Sequence, residues 1–407
     1  MQSTGTPLVS RVHLPLLIAM LWSGSSLADM WFEPHPMRRA AITEGRNFDL
    51  NAEAFSQRFS YRHLSALPKP GEGGLRGTGG SLTGDDLYHE TTAQLALKSD
   101  SGIHGLLFRM RRAEDLDGRF DRMLIGYRYN VNEQFGFTLA GDATGDKSQS
   151  DLQFGAHWQP AAGRRLRAAL VLPEFLYNDK KSGGGRYERE ARTLFLHYQQ
   201  EGSGWSSQLS LNLSPEAKFA SSAVNVNASQ LRAAGQLTNS DSRWQTTYRV
   251  EYERTTRDYA GTAPRAARFE RRYNSVSAEA RYTFHELQPN AGLRLMVLDE
   301  TGWFGTASEA LGATDRVEAT AFAGLHWKTS ETSWWEPALH VTRVDVDHAF
   351  TQGPWRNRNQ KEWQAKLLLP WRVMLDAKSG GILTLHASIR LHEFRFGGGN
   401  IQIHWPL

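Results

Sequence analysis

The sequence predicts an all-β fold, a transmembrane antiparallel up-and-down β-barrel of about 16–18 strands. Three observations lead there. Short stretches along most of the chain alternate apolar and polar residues, which sets one face of each strand in an apolar medium and the other in water. The connections between them alternate short and long, so the tight turns gather at one end of the strands. Aromatic residues of the apolar parity sit beside those tight turns.

The elements follow in order. Phe48, Leu50, Ala52 and Ala54 alternate with Asp49, Asn51 and Glu53 as a first strand. A Gly-rich stretch, residues 65–86, reads as a loop; its Gly71-to-Gly77 part lacks the Lys-Ser/Thr of a phosphate cradle. The second strand carries Leu87, Ala93, Leu95 and Leu97 against Tyr88, Glu90, Thr92 and Gln94. A turn at Ser99, Asp100, Ser101 and Gly102 returns the chain as Leu106, Phe108 and Met110. Short turns recur at residues 130–133, 161–164, 201–204, 238–242, 285–290 and 329–333, with a slightly longer one at 372–380. Longer polar connections cover 113–121, 142–150, 178–188, 214–229, 254–272, 299–314 and 345–359. The last connection, 393–399, is short where a long one is due.

Composition narrows the class. A mean hydropathy of −0.51 and a single long apolar run exclude a helical membrane protein. The absence of cysteine excludes disulfides and thiolate metal sites. A net charge of +4 is too small to argue for nucleic acid. Among the basic residues, Arg outnumbers Lys 37 to 10.

The N-terminus reads as an export signal. Arg11 and His13 precede an apolar run from Leu14 to Trp22, too short to span a bilayer, and small residues follow it. Ser26 and Ala28 fit the small-x-small cleavage rule, so the mature chain is expected to begin at Asp29. The expected division is a signal peptide over 1–28, a periplasmic extension over 29–45 and the barrel over 46–407.

The aromatics define an interface girdle: Trp158, Trp205, Trp244, Trp327, Trp335, Trp371 and Trp405, joined by Tyr127, Tyr129, Phe135, Tyr198, Tyr282 and Phe284. Trp and Tyr favour the membrane–water boundary because the ring is apolar and one edge hydrogen-bonds. The final strand, Asn400 to Leu407, resembles the C-terminal assembly signal of Gram-negative outer-membrane proteins, although its aromatic, Trp405, stands third from the end. Over nearly the whole mature length the chain resembles a porin-like outer-membrane β-barrel. The resemblance implies residence in the outer membrane among lipid and lipopolysaccharide, with short turns in the periplasm and insertion by the barrel-assembly machinery.

The polar parity then lines a lumen. It carries Arg109, Arg111, Arg128, Arg249, Arg281, Arg294 and Arg390, with further Arg at 122, 165, 167 and 232 and with Lys366. Inward carboxylates are fewer: Glu53, Glu90, Glu251, Glu279, Glu318 and Glu336. A lumen of this balance concentrates anions, and guanidinium grips carboxylate or phosphate bidentately. The competing reading is an Arg–Glu ladder that only satisfies the wall, with Arg249–Glu251 and Arg281–Glu279 as compatible pairs. The connection 254–272 adds Arg254, Arg257, Arg265, Arg268, Arg271 and Arg272, for either a constriction or the lipopolysaccharide surface.

His386 and Ser388 share a strand face and resemble the His-x-Ser of outer-membrane phospholipases and lipid A deacylases. Ile389 and Arg390 follow where those families carry Asn, and the pair has lumen rather than lipid parity. His386, His392 and His404 share the inward parity of the last two strands, a pattern that suits a metal or pH-sensing cluster, although three such rings in an aqueous lumen are more often ordinary wall residues. The expectation is a passive channel without catalytic residues, cofactor or metal, passing small anionic solutes or exporting an acidic polysaccharide. The alternatives are an acyl hydrolase built on His386 and Ser388, and a plugged structural or surface-interaction barrel.

Overall fold

The computed structural model describes residues 74–406, apart from 82–87, 100, 116–118, 143–151, 173–185, 221–223, 262–266, 302–311, 351–358, 377 and 379. The signal peptide, the N-terminal extension and the strand expected over Phe48–Ala54 lie outside the described residues.

The first third of the sheet contains β1 (Gly74–Ser81), β2 (Tyr88–Lys98), β3 (His104–Asp115), β4 (Arg119–Asn130), β5 (Phe135–Asp142), β6 (Leu152–Ala161) and β7 (Arg164–Leu172). The next part contains β8 (Arg186–Arg189), β9 (Thr193–Gly202), β10 (Trp205–Ala220), β11 (Val224–Ser240), β12 (Trp244–Gly261), β13 (Ala267–Tyr282) and β14 (Leu287–Thr301). The chain closes with β15 (Gly312–Ser330), β16 (Ser333–Trp335), β17 (Ala338–Phe350), β18 (Asn359–Leu368), β19 (Trp371–Asp376), β20 (Gly381–Arg390) and β21 (Arg395–Pro406). Three barrel strands consist of two segments each, β8 with β9, β16 with β17 and β18 with β19. Pro337 and Pro370 stand at the second and third breaks, where a residue without an N–H cannot continue the ladder. The result is a closed antiparallel barrel of 18 strands.

Closure runs through a segment that the sequence presented as a loop. β1, GLRGTGGS, lies within the Gly-rich stretch, and it pairs antiparallel with both β2 and β21. Without side chains a glycine strand shows no alternation, and its extended form is imposed by ladders on both edges. Three expected loops are also largely strand. β10 and β11 leave only 221–223 between them, β12 and β13 leave 262–266, and β3 and β4 leave 116–118. Their upper ends are polar on both faces, so alternation fades there while pairing continues. The last connection is short, as expected, with β21 beginning at Arg395.

The tight turns are locally encoded. Gly102, Gly163 and Gly204 adopt positive φ of 69°, 76° and 81° in three of them. A Cβ at Gly163 would stand 2.7 Å from the Glu201 carbonyl oxygen. Elsewhere an Asx side chain shapes the turn: Asp241 Oδ1 accepts from the Arg243 and Trp244 amides at 2.8 and 2.7 Å.

Packing is inverted relative to a water-soluble protein. Leu106, Ile125, Phe137, Val250, Leu293 and Ile401 are exposed on the outer face, whereas Arg109, Arg281, Arg294, Glu318, Lys366 and Arg390 are buried on the inner one. A belt of this kind suits hydrocarbon outside and polar contact inside.

Candidate functional site: the inner wall

Register across the barrel decides which inward side chains meet, and it divides the wall into two unlike arcs. The first arc runs from β11 to β19 and is rich in ion pairs. Arg232 Nε lies 3.0 Å from Glu253, and Arg271 reaches the same carboxylate at 4.0 Å. Arg281 bonds Glu279 at 3.2 Å, and Asn290 donates to that oxygen at 3.1 Å. Arg316 Nε donates to Glu318 at 2.6 Å, with both side chains buried. Glu336 accepts from Arg372 at 3.4 Å and meets His326 Nδ1 at 2.6 Å. Each of these carboxylates already holds a cation, so this arc has the ladder character that the sequence allowed.

Of the two candidate pairs, Arg281 meets Glu279, as the shared parity suggested. Arg249 donates to Gln236 Oε1 at 2.8 Å across the β11–β12 ladder, and Glu251 accepts from Tyr273 at 3.2 Å. Arg294 is held by Tyr273 and Ser275, at 2.8 and 3.2 Å. Arg390, on β20, bonds Glu393 at 3.3 Å in the connection that follows.

The second arc, β4 to β9, carries Arg128, His157, Arg165, Arg167 and His197. His157, Arg167 and His197 are directly opposite one another across β6, β7 and β9. Among the described residues, the inward positions of these strands hold two carboxylates, Asp142 at the far end of β5, opposite Leu124, and Glu201, exposed at the rim beside the turn. Arg109, on β3, is buried on the inner face next to this arc. Arg111 falls in β3, and its side chain lies outside the described residues.

The basic segment 254–272 is a hairpin extension rather than a loop, and register separates its charges. Arg257 and Arg271 are buried inward, whereas Arg254, Arg268 and Arg272 face outward around Glu270, at 3.2, 3.5 and 2.9 Å. Arg265 lies outside the described residues. The outward group is balanced by acids: Asp299, Asp315 and Asp347 stand opposite one another on the adjoining strands.

The aromatics occupy the outer face near the tight turns. Trp158, Trp205, Trp244, Trp327, Trp335 and Trp371 are exposed there, and Trp405 is half-buried over Gly381. Trp244 packs on Tyr282 with centroids 4.8 Å apart, and Trp371 Nε1 donates to Ser333 at 2.7 Å.

The His386–Ser388 pair is buried on the lumen side. Ser388 Oγ donates to the Gly398 carbonyl at 2.8 Å. The three C-terminal histidines do not converge: His386 stands opposite Asn400, His404 opposite Ile382, and His392 bonds Ala365 from an exposed connection. Among the described residues, no group of three His, Cys, Asp or Glu is arranged to hold a metal.

No family model matches this sequence, and no curated protein matches it. Solved structures that resemble it include outer-membrane expressed OmpT of Vibrio cholerae, at 10% identity and TM-score 0.39, covering 84% of this chain and 99% of that one. OccK2 (OpdF) of Pseudomonas aeruginosa is 12% identical with a TM-score of 0.45, covering 83% and 97%. A bacterial polysaccharide outer membrane secretin is 10% identical with a TM-score of 0.41, covering 83% and 98%. These likenesses extend to general architecture only. Apolar outside, charged within and closed on itself without an edge, the chain is an outer-membrane β-barrel.

Proposed function

We propose that this protein is a diffusion channel of the outer membrane whose basic lumen passes small anionic solutes. The observation that supports the reading is the second arc, where Arg128, His157, Arg165, Arg167 and His197 line three successive rungs while the inward carboxylates, Asp142 and Glu201, stand at its two ends. Barrels of 16–18 strands are wide enough to enclose water. A wall with a surplus of positive charge raises the local concentration of anions, and guanidinium exchanges oxyanions through hydrogen bonds that re-form at the next site. The opposite arc is stiffened by its ion pairs. Export of an acidic polysaccharide uses the same electrostatics with a longer solute. The cleaved leader over 1–28, insertion by the assembly machinery and contact with lipopolysaccharide belong to the same reading.

Planar-bilayer recording of the purified protein in a salt gradient tests it. The expected reversal potential has the anion-selective sign, and the preference fades as the Debye length shrinks from ~10 Å at 0.1 M to ~3 Å at 1 M. Replacing Arg128, Arg165 and Arg167 by Gln weakens selectivity, whereas Arg281→Gln lowers stability and moves the reversal potential little. Cation selectivity or absence of current overturns the reading, the latter in favour of a plugged barrel. The hydrolase alternative has its own assay: fatty-acid release from phospholipid or lipid A that disappears in Ser388→Ala would establish it, and none is expected.

A further inference from the structure

The five basic side chains of the β4–β9 arc form three adjacent rungs. Arg128 faces Thr138, which stands opposite Gly155 and so in line with Ala169. His157, Arg167 and His197 make the next rung toward the turns, and Arg165, opposite Gln199, makes the third. Register thus gathers three guanidinium groups and two imidazoles on one stretch of the inner wall, with like charges on adjacent rungs.

Small residues leave room in front of them. Gly155 and Ala169 share the Arg128 rung, Gly136 lies opposite His157 on the next, and Gly126 and Ala140 form the rung on the far side of Arg128 from the turns. The His157 ring lies over Gly136, where a Cβ would come within 2.5 Å of its Cε1. The His197 ring stacks on Phe195, with centroids 6.5 Å apart and planes inclined by 10°. Both imidazoles are therefore oriented by packing rather than by a carboxylate. Arg128, His157, Arg165 and Arg167 are half-buried, so their edges remain open to the lumen.

We propose that this arc is a binding site for a small oxyanion carrying two or more negative charges, of the phosphate or polycarboxylate type. A monoanion leaves most of the mutual repulsion in place, whereas an oxyanion with several oxygens accepts from two guanidinium forks at once and offsets more than one charge. In the β11–β19 arc Glu253, Glu279, Glu318 and Glu336 already engage Arg232, Arg281, Arg316 and Arg372. The proposal rests on the channel reading only for how the solute arrives.

The test is titration of the purified full-length barrel in detergent with inorganic phosphate at pH 8, against chloride at equal ionic strength. Binding is read by calorimetry and by the rise in unfolding temperature. Saturable phosphate binding that chloride does not displace is expected. Arg128→Gln and Arg165→Gln should each weaken it roughly tenfold, the loss of a charge-assisted hydrogen bond. Arg232→Gln, on the paired arc, should leave it intact. Identical affinity in all three variants, or chloride competing as well as phosphate, overturns the proposal. If a Gln variant does not fold, the chloride competition on the native protein still decides. A barrel that binds phosphate but carries no current refutes the channel and keeps the site; an anion-selective channel without saturable phosphate binding does the reverse.

Discussion

Substitution of Leu293 by Arg tests the assignment of faces at its most demanding point. Leu293 is 64% exposed on the outer face of β14, six residues beyond Leu287, which pairs with Trp327 of the girdle. At ~3.4 Å per residue and a strand tilt of about 40°, it stands roughly 16 Å along the membrane normal from that girdle. The apolar band of such barrels is ~25 Å tall, so Leu293 lies close to the midplane. An Arg there should cost about 2–4 kcal/mol, roughly 30- to 900-fold in the folding equilibrium. The control is Ala234→Arg on β11, at comparable depth but inward, and directly opposite Glu251. A new guanidinium there gains a carboxylate neighbour, so its effect should stay within about 1 kcal/mol. Refolding into lipid vesicles across a urea gradient, read by heat-dependent mobility on gels, measures both. Equal costs at the two positions would refute the assignment of lipid and lumen faces.

Three further outcomes are expected. A cysteine at Glu190, beyond the long connection before β8, should be labelled on intact cells by an impermeant maleimide, whereas one at Ser203, in a tight turn, should not; the reverse pattern inverts the barrel. Amide hydrogen bonds from Trp244 and Arg243 hold the Asp241 carboxyl below its usual value of 3.8, so its stabilising contribution is complete above that pH and lost as pH falls below it. Asp241→Ala should therefore lower the urea midpoint at pH 7 and narrow its difference from pH 3, and an unchanged difference would reject this role. Glu336→Gln removes the carboxylate shared by His326 and Arg372 and should destabilise the barrel by about 3 kcal/mol in the same assay.

What the sequence by itself determined is what depends on near neighbours. Parity separates Leu293 from Arg294 because successive side chains point to opposite faces, whatever the strand pairs with. The tight turns at Gly163 and Asp241 are likewise specified within four residues, and the girdle follows from both. Tertiary structure decided everything set by pairing between distant segments. Gly74–Ser81 becomes a strand because β2 and β21 supply its two ladders, a fact absent from the segment's own pattern. Residues 254–272 read as a loop because both faces are polar above the apolar belt, yet the β12–β13 ladder continues into them as far as Tyr259 and Ala267. Parity placed Arg249, Glu251, Arg281 and Arg167 on one wall without assigning partners. Register gave Arg249 to Gln236 and Arg281 to Glu279, and set Arg167 between two histidines. The division into a paired arc and a carboxylate-poor arc is a property of the closed barrel, because it depends on which strands stand side by side.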